Sequence, residues 1–231
     1  MQILDGKFLA AQIKAEIKSE VDNIIAQGKR APHLVAVLVG SDPASQTYVK
    51  SKAKHADSVG IRSSEFILDE STSQSDLMEL IEKLNKDNSV DGYIVQLPLP
   101  KHLDESKIIE AIDPAKDVDG FHPVNLGLMV AGNSKAFIPA TPFGIMEILK
   151  RYNIPTVGKK VAVIGRSLIV GTPISILMSR NTEPGNATVT LLHSKSTNVK
   201  EVCLDSDIII AAIGKKNFVT ADMVKEGAVI I

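Results

Sequence analysis

The sequence predicts a two-domain α/β protein in which each domain is built on a parallel β-sheet. Short apolar runs alternate with amphipathic stretches of helical length, and a glycine turn follows one of the later runs. The chain of 231 residues is long enough for two modest domains, each with its own core. Strand–helix–strand alternation implies right-handed crossovers, and therefore parallel strands with helices on both faces of the sheet. We place the domains at residues 1–139 and 140–231.

Residues 1–139 are predicted to alternate three helices with three strands. Glycines end the first two helices, at Gly28 and Gly60, and two prolines follow the last strand, Pro98 and Pro100. In chain order the elements are a helix at 7–27, a strand at 34–40, a helix at 43–59, a strand at 64–68, a helix at 74–85 and a strand at 92–97.

Residues 140–231 continue the alternation. A helix at 145–151 leads to apolar runs at 160–164, 187–192, 207–213 and 227–231, with helices between the first three. The last run reaches the end of the chain without a polar tail, and we expect the natural protein to continue with a further C-terminal segment.

The composition is that of an ordinary globular protein, with 44% apolar residues, 23% charged residues and a net charge of −1. No dense basic run is present, which argues against a nucleic-acid surface as the main function. The single cysteine, Cys203, precedes an apolar strand and is predicted to fill the core. The sequence has no disulfide framework, and no apolar run approaches the ~20 residues of a membrane span, so we expect a cytoplasmic protein.

The helix at 43–59 carries the most informative residues. Asp42 can cap it, and Pro43 occupies a first helical position, where proline is tolerated. Helical spacing places a stripe of four residues at the edge of its apolar side: Ser45, Tyr48, Lys52 and His55. A lysine that is desolvated beside apolar surface has a lowered pKa and can transfer protons near neutral pH. The alternative is a lysine whose stem packs on the core while its ammonium group reaches water.

The strand at 160–164 leads into a candidate phosphate-binding turn, Gly165-x-Ser167-x-x-x-Gly171, and then into a helix. Glycines there would let backbone N–H groups at a helix N-terminus approach a phosphate closely, as in a Rossmann-like domain. The pattern is neither GxGxxG nor a P-loop, so a plain strand-to-helix connection stays open. Gly214, after the third strand, would let the backbone pass close to a cofactor or would form a simple turn.

The second strand of this domain indicates which dinucleotide is bound. NAD-binding folds usually place an acidic residue there to hold the ribose hydroxyls. This chain has Ser194 and Lys195 instead, and Arg166 in the glycine turn could reach the same place. Hydroxyls and cations suit a 2′-phosphate, so NADP is favoured over NAD; the alternative is that both cations are solvated surface charges. The loop at 180–186 is expected to lie close to the adenosine, which leaves the cofactor preference open.

Two polar positions of the first domain point to the same sheet edge. Gln96 stands at the carboxyl end of an apolar strand, where ligands collect in open α/β sheets. A buried glutamine needs partners, and the Lys52 amine would be one; a loop residue that faces water is the alternative. Asp119 precedes a glycine in an acidic loop and could bind an amidine-like edge through two hydrogen bonds. Asp113 and Asp117 are expected to be solvated or to cap turns.

Metal binding and histidine catalysis are not predicted. The acidic loop lacks the ligands of an EF-hand, and the five histidines have no metal-binding spacing. We therefore expect no metal, and we give His122 and His193 no catalytic role.

Four separated motifs identify a family. They are Tyr48-Val-Lys-Ser-Lys52, Val95-Gln-Leu-Pro-Leu-Pro100, Lys116-Asp-Val-Asp-Gly120 and Gly165-Arg-Ser-x-Ile-Val-Gly-x-Pro173, in this order. The chain closely resembles the bifunctional methylenetetrahydrofolate dehydrogenase/methenyltetrahydrofolate cyclohydrolases. The resemblance implies a two-domain α/β subunit with the active site in the cleft between the domains, and usually a homodimer. It also implies two reactions: hydride transfer from 5,10-methylenetetrahydrofolate to NADP, and hydrolysis of the methenyl product to 10-formyltetrahydrofolate.

The resemblance also implies a role for each matching residue. The lysine matching Lys52 is the acid–base residue, needed above all for hydrolysis, and the glutamine matching Gln96 hydrogen-bonds it. The tyrosine matching Tyr48 stacks on the folate, and the aspartate matching Asp119 holds the amino-pyrimidine edge of the pterin. The substrate pocket also contains the residues matching Ser45 and Pro98, and the residues matching Arg166 and Ser194 bind the 2′-phosphate of NADP.

Three other functions are alternatives to this one. A dehydrogenase without hydrolysis, or an NADP-binding module without catalysis, is disfavoured because Tyr48, Lys52, Gln96 and Asp119 are all present. A shikimate-type dehydrogenase shares the two-domain layout but should carry arginines or hydroxyls, rather than Asp119, at the substrate edge.

Overall fold

The computed structural model describes residues 2–231 and contains two compact units. The N-terminal unit is residues 5–125, and the C-terminal unit is residues 126–231 with residues 2–4. The predicted two-domain α/β class with parallel sheets is confirmed. The predicted domain boundary after residue 139 stays a prediction; the compact units divide earlier, because Leu126, Met129 and Ile138 pack into the core of the C-terminal unit.

The N-terminal unit contains a parallel three-stranded sheet with the strand order β2–β1–β3. The strands are β1 (His33–Val39), β2 (Arg62–Leu68) and β3 (Gly92–Val95). The helices are α1 (Gly6–Ala26), α2 (Pro43–Ser58), α3 (Gln74–Lys86), α4 (Glu105–Ala111) and α5 (Pro123–Val130), the last of which crosses into the C-terminal unit. The sequence patterns predict all of these except α4 and α5, which at seven and eight residues are too short for a clear helical period.

The central strand β1 is buried on both faces. Val35, Val37 and Val39 point into one core, which they share with residues of α3 and α4. Ala36 and Leu38 point the other way and pack with Val49 of α2. Since successive side chains of a strand alternate between faces, a strand covered on both sides reads as a continuous apolar run, which is how the sequence reveals it. The burial of Val49 also fixes how α2 is rotated on the sheet.

Helix α2 begins and ends where the sequence predicts. The Asp42 carboxylate accepts a hydrogen bond from the Ser45 N–H at 2.7 Å, and Pro43 is the first helical residue. At the other end Gly60 has a φ of +82°. The N–H groups of Gly60 and Ile61 bond back to carbonyls of the last helical turn, which is the Schellman arrangement.

The C-terminal unit contains a parallel four-stranded sheet with the order β5–β4–β6–β7. The strands are β4 (Lys160–Ile164), β5 (Thr188–Leu192), β6 (Ile208–Ala211) and β7 (Val229–Ile230). The helices are α6 (Ala140–Arg151), α7 (Gly171–Ser179) and α8 (Val199–Asp205), with a 3₁₀ turn at Ala221–Met223. Val161 and Val163 face one core of this unit, whereas Ala162 and Ile164 face the other. Cys203 of α8 is fully buried in the second core, as predicted, and no helix among residues 2–231 is long and apolar enough to cross a membrane.

Gly92, the first residue of β3, provides a test of the packing beneath the acidic loop. A Cβ at Gly92 would lie 2.2 Å from Cγ1 of Val118. We expect Gly92→Ala to lower the free energy of unfolding by about 1–3 kcal/mol, because the overpacked side chains must move. Urea denaturation measures the change.

Gly127→Ala is the matched control for this substitution. Gly127 lies in α5, and no heavy atom stands within 4 Å of an added Cβ. Alanine is favoured over glycine in a helix by up to about 1 kcal/mol, so this variant should be at least as stable as the wild type. Equal stability of the two variants would contradict the account of Gly92.

Candidate active site

The acidic loop and the end of β3 meet at the carboxyl edge of the sheet in the N-terminal unit. Residue Asp117 forms an isolated parallel bridge with Tyr93 of β3, and the Tyr93 N–H donates to the Lys116 carbonyl at 3.0 Å. The loop therefore runs alongside β3 and passes the same edge as Gln96, which follows this strand. Because parallel strands all end at one edge, residues distant in sequence converge there.

The Lys52 ammonium group lies at this edge between an amide and a carboxylate. Its Nζ donates to Oε1 of Gln96 at 3.3 Å and lies 3.8 Å from Oδ1 of Asp119. The hydrogen bond between Lys52 and Gln96 that the sequence predicts is thus present. The side chains of Lys52 and Asp119 are 34% and 20% exposed, so both are partly withdrawn from water.

The orientation of the Gln96 amide is fixed by its other end. Its Nε2 donates to the Leu97 carbonyl at 2.7 Å, so Oε1 is the atom that faces Lys52. The Gln96 backbone N–H continues the ladder of β3 by donating to the Val37 carbonyl at 2.8 Å. The amide is therefore a fixed acceptor for the lysine.

The pKa of Asp119 is shifted by burial more than by its ion pair. Burial raises the pKa of the Asp119 carboxyl, and the negative charge of Asp117 raises it further. The ammonium group of Lys52 acts in the opposite direction. The net pKa is above the ordinary value for aspartate, so burial and the Asp117 charge together outweigh the attraction of Lys52.

The other predicted substrate residues differ in exposure. Ser45 is buried in the first turn of α2, whereas Tyr48 is 63% exposed and lies one helical turn before Lys52. Pro98 follows Gln96 by two residues and is preceded by a cis peptide bond. His55 is separate from this group, because its Nδ1 lies 3.1 Å from the ammonium nitrogen of a lysine in α1. The predicted stripe is therefore a shared face of the helix and not one cluster of contacts.

Asp117 is a buried cap rather than a solvated residue. It is 2% exposed, and its two carboxylate oxygens accept four hydrogen bonds. Asp113, in contrast, caps the start of the loop through the Ala115 N–H at 2.9 Å. The sequence predicts that both residues are either solvated or capping, and in the structure both are caps. No feature of the sequence indicates that Asp117 is buried.

A cavity of about 400 Å³ lies at the carboxyl edge of the sheet in the C-terminal unit. Three of the predicted cofactor residues line it, namely Gly165, Arg166 and Ser194. The other residues that line it are Ile164, His193, Val199, Ile213, Lys215 and Phe218. The apolar wall formed by Val199, Ile213 and Phe218 was not predicted; its only signal in the sequence is that Ile213 ends an apolar run and Phe218 follows soon after it.

The lining of this cavity fits an adenosine carrying a 2′-phosphate. Apolar walls suit a flat base, and the guanidinium group of Arg166 and the hydroxyl group of Ser194 suit a phosphate. No lining residue is acidic, so no carboxylate there would repel a dianion. Within residues 2–231 no three His, Cys, Asp or Glu side chains are grouped in a way that could hold a metal ion.

Two glycines of the turn are required by close backbone contacts. Gly165 has a φ of +113°, and a Cβ there would lie 2.4 Å from the Ala212 carbonyl oxygen. A Cβ at Gly171 would lie 2.0 Å from the Gly165 carbonyl oxygen. The hydroxyl group of Ser167 accepts the Val170 N–H at 3.2 Å and is not among the residues that line this cavity; the contacts of Ser167 and Gly171 with a cofactor stay predictions.

Gly214 differs from these two glycines. It has a φ of +62° and no heavy atom within 4 Å of an added Cβ. This is the conformation of a turn without a close approach, and its contact with a cofactor stays a prediction.

The loop at 180–186 lies at the opposite edge of this sheet. It leads into the amino end of β5, whereas the cavity lies beyond the carboxyl end, at His193 and Ser194. Its Gly185 N–H donates to Oγ1 of the buried Thr156 at 2.8 Å. The expectation that the loop lies beside the adenosine site is therefore wrong for this cavity, because a connection that enters a parallel strand is at the other end from the ligand edge.

Comparison with known proteins gives two family matches. Residues 4–119 match the catalytic domain of tetrahydrofolate dehydrogenase/cyclohydrolase, and residues 139–231 match the NAD(P)-binding domain of the same family. A bifunctional protein FolD from Cytophaga hutchinsonii is 56% identical over 231 residues, which cover 100% of this chain and 79% of that protein. The FolD of Porphyromonas gingivalis is 53% identical over 230 residues, covering 100% and 77%.

Solved structures agree with these matches. The bifunctional FolD methylenetetrahydrofolate dehydrogenase/cyclohydrolase of Campylobacter jejuni has a TM-score of 0.95 at 44% identity, covering 100% of this chain and 80% of that one. The Trypanosoma brucei enzyme, solved with NADP and an inhibitor, has a TM-score of 0.93 at 32% identity, covering 99% and 77%.

The raised pKa of Asp119 predicts a pH-dependent gain of stability in Asp119→Asn. The folded state binds the Asp119 proton more tightly than the unfolded state, so the charged carboxylate destabilises the fold above the ordinary carboxyl range. The variant should melt at a higher temperature than wild type near neutral pH. This gain should vanish below about pH 3, where the carboxyl is protonated in both states.

Asp104→Asn provides a control of opposite sign. The Asp104 carboxylate caps α4, and the hydrogen bond from the Lys107 N–H lowers the pKa of this carboxyl. Its stabilising effect is present above the unfolded pKa and lost on acidification, so this variant should melt lower near neutral pH. Thermal melts across the pH range measure both, and a lower neutral-pH melting temperature for Asp119→Asn would contradict the account of Asp119.

Proposed function

This chain belongs to the tetrahydrofolate dehydrogenase/cyclohydrolase family, and from that premise we propose how its residues divide the two reactions. The enzyme oxidises 5,10-methylenetetrahydrofolate to the 5,10-methenyl form with NADP and hydrolyses that product to 10-formyltetrahydrofolate. The observation that supports the residue assignments is the arrangement of Lys52, Gln96 and Asp119 at one sheet edge.

Lys52 is assigned the proton transfers of the hydrolysis. Water adds to the methenyl carbon, so a C–O bond forms and the attacking water must lose a proton. The carbon–nitrogen bond to N5 then breaks, N5 takes up a proton, and one proton is released overall. A lysine side chain that is 34% exposed reaches water while its stem stays against the protein, and its uncharged amine can accept and return a proton.

Gln96 positions the Lys52 amine. Its fixed Oε1 accepts one N–H of that amine in either protonation state, which leaves the lone pair of the uncharged form directed elsewhere. A positioned amine is what the hydrolytic step requires of an acid–base group. The contact therefore supports the assignment of the hydrolytic step to Lys52.

Asp119 and Tyr48 are assigned to the pterin ring. The Asp119 carboxylate can accept two hydrogen bonds from the N–C–NH₂ edge of the pterin. Tyr48, which is exposed and one turn from Lys52, offers its ring face for stacking. Ser45 and Pro98 are assigned to the surrounding pocket.

NADP supplies the hydride acceptor when it is bound. Arg166 and Ser194 are assigned to its 2′-phosphate, and Val199, Ile213 and Phe218 to the base. The backbone of the glycine turn, which begins at Gly165, approaches a phosphate without a side chain in between.

Assembly and location form the remaining part of the proposal. The family resemblance supports a homodimer. The single cysteine, Cys203, is buried and unpaired, which suits the reducing conditions of the cytoplasm.

Replacing Lys52 tests the proton-transfer assignment. Lys52→Met keeps the stem but removes the amine, so methenyl hydrolysis should fall by about 10²-fold or more, the usual contribution of a positioned acid–base group. Methenyltetrahydrofolate should then accumulate while NADPH is still formed, and its absorbance measures this. Lys50→Met is the matched control, since Lys50 lies on the exposed side of the same helix. An unchanged rate of methenyl hydrolysis in Lys52→Met would exclude the assignment.

Replacing Arg166 tests the cofactor assignment. Arg166→Gln removes a charge-assisted contact worth about 1.5–3 kcal/mol, so kcat/KM for NADP should fall about 10- to 100-fold relative to that for NAD. Lys216→Gln removes an exposed charge that does not line the cavity and should leave the ratio unchanged. Initial rates with both dinucleotides measure the ratio; a ratio in Arg166→Gln equal to that of wild type would place the 2′-phosphate elsewhere.

A further inference from the structure

Asp117 takes no part in the reactions described above, yet its carboxylate is the most heavily hydrogen-bonded side chain of the acidic loop. Each oxygen accepts two hydrogen bonds, and all four donors lie within eight residues. Oδ1 accepts the N–H of Gly120 at 3.1 Å and of Phe121 at 3.3 Å, and Oδ2 accepts the N–H of His122 at 2.8 Å and Nδ2 of Asn125 at 2.9 Å. The carboxylate therefore closes the turn that follows Asp119.

The residues on both sides of Asp119 are fixed. Val118 packs so closely over Gly92 that a Cβ on that glycine would lie 2.2 Å from the valine Cγ1. Gly120 has a φ of +71° and its N–H is held by Asp117. Because both neighbours are held in place, the backbone directs the Asp119 side chain towards Lys52, whose Nζ lies 3.8 Å from Oδ1.

We propose that Asp117 is a positioning residue for folate binding, whose carboxylate holds the turn in the conformation that presents Asp119 to the pterin. This inference rests on the proposed role of Asp119. The proposed role explains why position 117 has an aspartate and not an asparagine, which is of equal size. All four partners are donors, so either orientation of an asparagine would turn its NH₂ group towards two of them.

The negative charge of Asp117 also affects the pKa of Asp119. Two charged groups act on the Asp119 carboxyl, Lys52 from α2 and Asp117 from its own loop, and the amide of Gln96 adds no charge. The Asp117 charge raises the pKa of Asp119. Its removal should therefore move the protonation of Asp119 to lower pH.

Steady-state kinetics of the full chain with Asp117→Asn test the inference. The KM for 5,10-methylenetetrahydrofolate should rise about tenfold with kcat within about twofold, because a binding contact common to ground and transition state is weakened. The Kd for NADP should not change. The acid limb of the pH profile of kcat/KM should move to lower pH, which a purely structural defect would not cause.

Two matched variants separate geometry from charge. Asp113→Asn makes the same substitution at another cap of this loop and should leave the KM unchanged. Asn125→Ala removes one of the four donors and keeps the Asp117 charge, so the KM should rise by a smaller factor without the pH shift. If Asp117→Asn does not fold, the folate KM of Asn125→Ala tests the inference by itself.

The Asp119→Asn background shows whether Asp117 acts through Asp119. Asp119→Asn alone should raise the folate KM, and adding either Asp117→Asn or Asn125→Ala should raise it no more than about twofold further. A full additional increase in that background, or an unchanged KM in the single variants of Asp117 and Asn125, overturns the inference and leaves the role of Asp119 standing. An unchanged KM in Asp119→Asn overturns the proposed role of Asp119 and this inference with it.

Discussion

Both units depend on a central parallel strand that is apolar on its two faces. In β1 and β4 neither face is available to water, so helices must cover both sides and the chain must return across the sheet after every strand. The strand ends therefore converge at one edge, and the polar groups that follow them are brought together without any pattern linking them in sequence. The Lys52, Gln96 and Asp119 arrangement and the cavity at Arg166 are both products of this constraint.

The proposed folate site lies where that constraint leaves polar groups partly dehydrated. Lys52 and Asp119 attract one another, yet the pKa of Asp119 is raised because burial has the larger effect. Partly buried charges of this kind lower the stability of the fold, and packing and hydrogen bonds around the site compensate for that loss. Val118 against Gly92 and the four donors around Asp117 supply part of that support.

Much of this architecture could be predicted because it depends on local chemistry. The cap at Asp42 and the glycine at position 60 define α2, and the continuous apolar runs define the strands. The approach of Gln96 to Lys52 also follows, since a polar residue at a strand end must find a partner near a helix that packs on the same sheet. Burial decided by tertiary contacts could not be predicted: Asp117 reads like any other loop aspartate, and the apolar cavity wall at Phe218 reads like ordinary core. The predicted position of the loop at 180–186 was wrong although the order of the elements contains the answer, because a loop that precedes β5 joins the amino end of this strand and not its ligand edge.

The contact between Gly165 and Gly171 has a consequence for engineering the enzyme. An added Cβ at either position would meet a backbone carbonyl oxygen and not a movable side chain, so neither glycine can be varied without rebuilding the turn. Laboratory evolution towards another dinucleotide would therefore find its accepted changes in side chains that project from the turn and from the end of β5. The backbone of the turn would stay unchanged, and the side chains around the cavity alone would decide which dinucleotide is preferred.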